Sequence, residues 1–501
     1  MAIGIAKRSL GQYTRKKSLQ DFCAPLRGQI NVGLLKISLD LCWTIIYNTV
    51  MKPTPHNVNQ LYAKALAHHS AGRTPFAVKL YKEILTRFPQ HTGCRHNLAR
   101  LLMAQGHLAP AAVHLDWLID HNPQDQEALI YRADIARLQH DYPHALELLQ
   151  ASDTLGLSAL ALNIQALIYR DQEQFQLAMD TWGRATEVDT RLRSRHQVNA
   201  AHLLLLNRDY AHGFRMLEAR ASAGFSIADS RLQGRPAMTP QDTLQGSHVL
   251  LHWEQGLGDT IQFMRYATEF RQLGAQSVTL VVQKELVELA RQVPLVDHVV
   301  TAADEWPVWT HWLGLMSAPW VLGTLYQTVP WAGAYVSTQP QVTLKPRVGV
   351  CWSGGVRLLT EELWLRPPPD RDIPQDEFLA WVGQQVNRYP GVEWVSLQAG
   401  RPVPPVSGLE QADLTTWRQT QAVIDTLDLI ITVDTSVAHL AGAMARPTWL
   451  LNRRMGDWRW ASYTDQTPWY PTVEIFRQTN WRDWQPLLDQ VSQRLAEKYG
   501  H

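Results

Sequence analysis

Residues Leu427–Ala445 read LDLIITVDTSVAHLAGAMA. An apolar strand stops at Asp434 and a helix of small residues begins almost at once. In open α/β sheets, ligands sit beyond the carboxyl ends of strands, where the next helix offers unpaired N–H groups and the positive end of its dipole. Thr435 and Ser436 stand where they can cap that helix or bind a phosphate, and His439 lies one turn further in. A nucleotide diphosphate suits such a place. A plainer reading of the same residues is a capped helix with His439 packed against the sheet.

A second junction has the same grammar. His248–Phe270, HVLLHWEQGLGDTIQFMRYATEF, is a short apolar strand, a glycine turn and a helix with apolar Ile261, Phe263, Met264, Tyr266 and Ala267. Gly256 and Gly258 allow close backbone approach or positive φ, and Asp259 stands at the helix start. Two such corners, each ending in an acid, read as two facing nucleotide-fold domains with a cleft between them. Strands are expected at 248–253, 278–282, 347–352, 393–397, 428–433 and 447–451, and helices at 260–273, 284–292, 376–387, 420–426, 436–444 and 484–498. This alternation implies parallel sheets. A hinge is expected within Ser337–Lys345.

The amino-terminal half carries its own signal. Ala77, Ala111 and Ala145 are spaced by 34 residues, and Ala178 follows 33 later. Each has a large residue four positions on (Tyr81, Leu115, Leu149, Trp182) and a turn residue five before (Gly72, Gly106, His140, Glu173), while Pro89 and Pro123 close the first two units. That period and pattern read as tetratricopeptide repeats, helix pairs that need a small residue where the two helices touch. A partial fifth unit at 199–220 caps the array.

Composition excludes several classes. Of 501 residues, 45% are hydrophobic and 19% charged, as in a soluble globular chain, and the formal net charge of +1 gives no case for nucleic acid as a partner. The four cysteines (Cys23, Cys42, Cys94, Cys351) show neither metal spacing nor a disulfide framework, which suits a reducing cytoplasm. The 19 histidines form no metal-binding motif, so no metal or other cofactor is expected. Most of the 20 tryptophans are expected in the core, with Trp458 and Trp460 of GDWRW as candidates to border a sugar.

QGLGDTIQFMRYA, LDLIITVDTSVAHLAGA, GDWRW at 456–460 and PWYPTVEIFRQ at 468–478 resemble the repeat-linked branch of glycosyltransferase family 9, the ADP-heptose:lipopolysaccharide heptosyltransferase-like proteins. SAPWVLGT at 317–324, RVGVCWSGG at 347–355 and WVSLQ at 394–398 extend the likeness in family order from about His248 to about Trp484. The resemblance implies a bacterial protein with a fold of class α plus α/β: a tetratricopeptide α-solenoid followed by a GT-B fold of two Rossmann-like domains. The expected division is an extension at 1–50, repeats at 51–221, a linker at 222–247, an acceptor-side half at 248–340 and a sugar-nucleotide half at 341–498. By the same resemblance Asp259 matches the proposed catalytic base, and Gly256 and Gly258 form the acceptor-side loop. Asp434, Thr435, Ser436, His439 and Gly354 match the donor side. Arg453 and Arg454, just after the strand at 447–451, stand where they can add positive charge to the donor site, the plainer reading being solvated surface arginines. No metal is implied.

One stretch departs from the family pattern. Relatives carry a polar loop of the kind WAGNxxHxNDRRRSIPL, where this chain reads CWSGGVRLLTEELWLRPPPDRDIPQ; Gly354 and an RDIP at 371–374 remain, but the Asn and His do not. Two functions follow. In one, a glycosyltransferase moves sugar from a nucleotide-sugar donor to a protein or glycan acceptor, which the repeat groove helps to bind. In the other, the repeats are a scaffold and the transferase fold no longer turns over.

The first fifty residues fit no template. Val32–Val50 is apolar but interrupted by Lys36 and Asp40, so neither a membrane span nor a secretory signal is expected there. A membrane-surface helix, a disordered arm and sequence upstream of a start at Met51 remain, and the last is favoured. A chain beginning at Met51 is expected to melt at the temperature of the full chain, as differential scanning fluorimetry would check; a large drop would make the extension structural.

Overall fold

The structure, a computed structural model, describes residues 55–500 apart from 225–226, 228, 332, 356–370 and 462–463. The amino-terminal extension and most of the 353–375 loop therefore lie outside the described residues. The chain divides after Leu98 into two compact units.

The first unit holds helices α1 (Pro55–Ser70) and α2 (Thr74–Arg87) and the start of α3 (Thr92–Ala104). Tyr62 of α1 packs against Tyr81 of α2, and its hydroxyl accepts from Asn97 Nδ2 at 2.9 Å. In the second unit the helices continue as α4 (Leu108–His121), α5 (Gln126–Leu138), α6 (Tyr142–Asp153), α7 (Ala159–Asp171), α8 (Phe175–Val188), α9 (Arg193–Leu206) and α10 (Tyr210–Leu217).

The 34-residue frame has a direct physical meaning. Ala77, Ala111, Ala145 and Ala178 are completely buried, and so, within 2%, are Tyr81, Leu115, Leu149 and Trp182. Five residues before each alanine the backbone is left-handed, with φ of 68° at Gly72, 78° at Gly106 and 63° at His140 and Glu173; Arg208, at 68°, marks the fifth unit. Equivalent positions of successive repeats also pair: Arg137 Nη1 donates to Asp171 Oδ2, 34 residues on, at 3.0 Å, and Arg137 Nε donates to Asp134 at 2.9 Å. All three side chains are buried.

Two parallel sheets follow. The first, in order β3-β2-β1-β4, contains β1 (His248–His252), helices α11 (Leu257–Phe263) and α12 (Tyr266–Gln272), β2 (Ser277–Val281), the short α13 (Val287–Ala290), β3 (His298–Val300), β4 (His311–Gly314) and the short α14 (Ala318–Val321). The second, in order β10-β9-β8-β5-β6-β7, contains β5 (Arg347–Cys351), α15 (Gln375–Arg388), β6 (Glu393–Ser396), β7 (Leu409–Gln411), α16 (Trp417–Asp425), β8 (Leu429–Val433), α17 (Ser436–Ala443), β9 (Thr448–Asn452), β10 (Val473–Arg477) and α18 (Gln485–Tyr499). Every residue of β8 and β9 is buried, as strands covered on both faces must be. Trp352, Trp381, Trp394, Trp449 and Trp484 fill the second core beside Phe378, Phe476 and Leu488.

Both sheets reverse strand order once. The first sheet runs outward from β1 and returns beside it with β4; the second runs outward from β5 and returns with β8. Loops at the carboxyl ends of β1, β5 and β8 thus stand at the topological switch points, where open α/β sheets hold ligands.

Several expectations need correction. The helix read at 260–273 is two, and the break coincides with Arg265, whose Nε takes the Gln262 carbonyl at 2.9 Å. The helix at 284–292 is a single 3-10 turn plus α13. Strands β3, β4, β7 and β10 were not among those expected. Within the connector 222–247, Leu232 and Met238 are buried, and Met238 N donates to the Trp312 carbonyl at 2.7 Å.

The fifth repeat replaces alanine by Gly213, where a Cβ would lie 2.7 Å from Leu205 Cδ2 and 3.1 Å from the Leu205 amide nitrogen. Gly213→Ala is expected to destabilise the chain by about 1–3 kcal/mol through overpacking of α9 on α10. A lowered urea midpoint checks this; an unchanged midpoint would show that the helices move apart freely.

Candidate functional site

β1 and α11 are joined by Trp253–Gly256. Asp259, in the first turn of α11, reaches back so that its Oδ2 accepts from the Gly256 N–H at 2.8 Å, one half of a capping box. Gly256 has φ −74°, and Gly258 is not in the left-handed region either, so the positive φ allowed by the sequence is not used. Close approach is. A Cβ on Gly258 would lie 2.9 Å from His439 Cδ2 and 3.4 Å from Ser436 Oγ. The glycine turn of the first sheet therefore rests directly on the start of α17 in the second, and the two corners read from the sequence form one place.

On the other side, β8 ends at Val433 and half-buried Asp434 follows. Thr435 occupies the N-cap position of α17, yet its hydroxyl caps nothing and instead hydrogen-bonds Thr432 Oγ1 at 3.2 Å. Ser436 is the first helical residue and is half-buried. His439 is buried, shares a 3.0 Å hydrogen bond with the Tyr470 hydroxyl through Nδ1, and stacks on Trp460. Burial pushes its imidazole down to about 4, against the charge of Asp434, so the ring is neutral at pH 7.

Arg459, inside GDWRW, binds these pieces. Its Nη2 donates to Asp259 Oδ1 at 2.5 Å, its Nη1 to Asp457 Oδ1 at 2.8 Å and its Nε to Gln262 Oε1 at 2.6 Å. Burial works against the Asp457 carboxylate, but the guanidinium and amide of Arg459 hold it far below the ordinary range. Helix α9 of the last full helix pair lies against the Trp458–Trp460 turn. His202 of α9 feels Asp457, Arg459 and Asp259, and burial pushes it down to about 4.

Trp458 and Trp460 do not border an open sugar site. Both are buried, Trp458 edge-on to Tyr210 and Phe214 of α10 and Trp460 against His439. Gly354 follows β5 at the same edge as Asp434; its N–H donates to Asp372 Oδ1 at 3.0 Å, and Arg401 Nη2 donates to its carbonyl at 3.2 Å. Arg453 follows β9 on that edge, whereas Arg454 turns to the Thr479 carbonyl and to Glu173 of the repeats. Asp259, Gly258, Ser436 and His439 thus meet; Gly354 belongs to a neighbouring Arg371–Asp372–Arg401 cluster. Arg459, Asp457 and Gln262 escape a sequence reading, because GDWRW draws attention to its rings rather than to the cation between them.

Further arginines seal the seams around this place. Arg220 at the end of the repeats grips Glu254 through Nε and Nη2 at 3.0 and 2.9 Å and also binds Glu218 and Ser317. Arg265 donates to the Trp469 carbonyl at 2.7 Å and to Tyr335 Oη at 3.1 Å. Among the described residues no group of three His, Cys, Asp or Glu side chains is placed to hold a metal ion, both cysteines are free and buried, and no helix is long and apolar enough to cross a membrane.

Residues 68–135 match the tetratricopeptide repeat. Tetratricopeptide repeats therefore make up the amino-terminal region, ahead of the parallel α/β part. The chain is similar to Protein FlbA of Caulobacter vibrioides, 22% identical over 484 residues, covering 88% of this chain and 73% of that one. Among solved structures it is similar to a thermophilic tetratricopeptide repeat protein of Thermus thermophilus (17% identity, 36% of this chain and 96% of that chain, TM-score 0.31). It is also similar to a family 9 glycosyl transferase of Veillonella parvula (10% identity, 52% of this chain and 91% of that chain, TM-score 0.33).

The buried histidine makes stability depend on pH. With a folded pKa of about 4 below the ordinary 6.5, the unfolded chain takes up a proton that the folded chain refuses. Stability is whole above pH 6.5 and is lost as pH falls toward 4. In His439→Gln, the fall in melting temperature between pH 7 and pH 4.5 is expected to be smaller than in the wild type; an equal fall would show that His439 does not contribute.

Proposed function

We propose that this chain is a metal-independent glycosyltransferase of the GT-B kind, bacterial and cytoplasmic, moving a sugar from a nucleotide-sugar donor to a protein or glycan acceptor. The observation that carries this reading is the meeting of the two switch-point corners, Gly258 against Ser436 and His439. In such a reaction the acceptor hydroxyl loses a proton as it attacks the anomeric carbon, and the nucleotide diphosphate leaves with its charge compensated. Asp259, on the first corner, is the base. The amide end of α17, with Ser436 and the positive pole of the helix, receives the diphosphate, and Gly354 and Arg453 border it on the same sheet edge. The repeats supply the acceptor or partner surface, which suits their packing against the GDWRW turn.

A second reading rests on the same contact. The corners touch at Gly258, where a Cβ would clash with His439, and both Asp259 oxygens are engaged. A chain fixed in that state is a repeat scaffold with an inactive transferase fold. Asp259→Asn separates the two: it keeps an oxygen for the Gly256 amide but removes the proton acceptor, so sugar transfer is expected to fall by about 10²–10⁴-fold, with a lowered melting temperature from the weakened Arg459 pair. Ser436→Asp places a charge at the start of α17 and is expected to abolish nucleotide-sugar binding measured by calorimetry. Wild-type transfer in Asp259→Asn would remove the base assignment, and a wild-type protein that neither binds nor turns over any nucleotide-sugar would leave the scaffold.

A further inference from the structure

Three observations converge on Arg459. Its guanidinium is shared out among Asp259 and Gln262 of α11 and Asp457 of its own turn, so one buried cation crosses the seam between the two sheets. The same group acts electrostatically on His439 at the second corner, together with Asp434. Two buried N–H donors on the same elements have no acceptor among the described residues: Gln262 Nε2, whose amide orientation is fixed because Oε1 accepts from Arg459, and Trp460 Nε1, whose ring stacks on His439. Buried donors without partners call for an acceptor. The place thus carries a surplus of hydrogen-bond donors, with its cation engaged by carboxylates that an anion would have to displace.

We infer that Arg459 is a latch: in the resting chain its guanidinium occupies Asp259, and a pyrophosphate group entering at Ser436 takes the guanidinium over, so that anion binding and release of Asp259 are one event. This rests on the reading of the α17 end as a diphosphate site. Gly258 lies directly against Ser436 and His439, so the two corners touch there, and the Arg459–Asp259 pair spans that seam. A planar guanidinium can exchange one oxyanion partner for another without losing its charge. Arg459 thus positions Asp259 in the resting chain and contacts the anion once it is seated.

The consequence is open to a test that a purely structural pair would fail. Inorganic pyrophosphate is titrated calorimetrically into the full chain. If Asp259 competes for the guanidinium, Asp259→Asn binds pyrophosphate about tenfold more tightly than the wild type, because the competent state no longer has to be won from the pair. Asp457→Asn, which loosens the other hold, shifts affinity in the same direction and serves should the first variant fold poorly. In the double variant Asp259→Asn/Arg459→Gln the gain disappears, whereas simple relief of repulsion by a carboxylate would preserve it. Unchanged or weaker binding in both single variants overturns the latch. If Ser436→Asp still abolishes wild-type binding, that outcome leaves the diphosphate site standing. No pyrophosphate binding by the wild type or either Asn variant overturns both the latch and the site.

Discussion

A guanidinium keeps its charge at any pH a protein meets, so burying one obliges the chain to bring carboxylates or carbonyls to it. This protein does so at several seams of its larger unit. Arg137 joins one repeat to the next, Arg220 joins the last repeat to the first sheet, and Arg265 and Arg459 join the first sheet to the second. Each would be costly alone and is held only because residues from both sides converge on it. Apolar packing fills the separate cores, and these four cations fix how the repeats from Ala99 onward and the sheets register with one another.

That dependence explains why the site is assembled from distant parts of the sequence. Asp259 and Gln262 lie some two hundred residues from Arg459, and His202 comes from the repeats. The last full helix pair of the repeats is thereby a wall of the site rather than an appendage to it. Trp469 Nε1 donating to the Tyr210 hydroxyl at 3.0 Å repeats the theme with an aromatic pair.

The repeats were legible because a residue that must be small recurs at a fixed interval, and Ala77, Ala111, Ala145 and Ala178 are buried for that reason. The strands β1, β5, β8 and β9 were legible because at least four of the five residues of each are buried, so that each has an apolar centre. β3, β4, β7 and β10 are at most five residues long, and HVV, HWLG, LEQ and VEIFR carry too little periodicity to separate them from loops. Asp259 and Ser436 announce themselves at strand–helix corners. Arg459 does not, since a buried arginine is recognised by its partners and those are far away in sequence. The break in the helix after Phe263 was illegible for a related reason: Arg265 competes for a backbone carbonyl only once the second sheet is present to hold its other nitrogens.

The left-handed turns of the repeats show a division of labour. Gly72 and Gly106 adopt that conformation without a steric penalty, whereas a side chain there costs about 1 kcal/mol or more. Side chains are nevertheless present at His140, Glu173 and Arg208, and each is spent on the α/β part: His140 stacks on Trp481 at 4.1 Å, Glu173 pairs with Arg454 and the Arg208 guanidinium sits 5.0 Å over Tyr326. The repeats accept local strain where their turns dock. Cut from the sheets, the same turns would keep the strain and lose the contacts that offset it, so this part of the array carries the imprint of its neighbour in its own backbone and is a weaker module alone than its helices suggest.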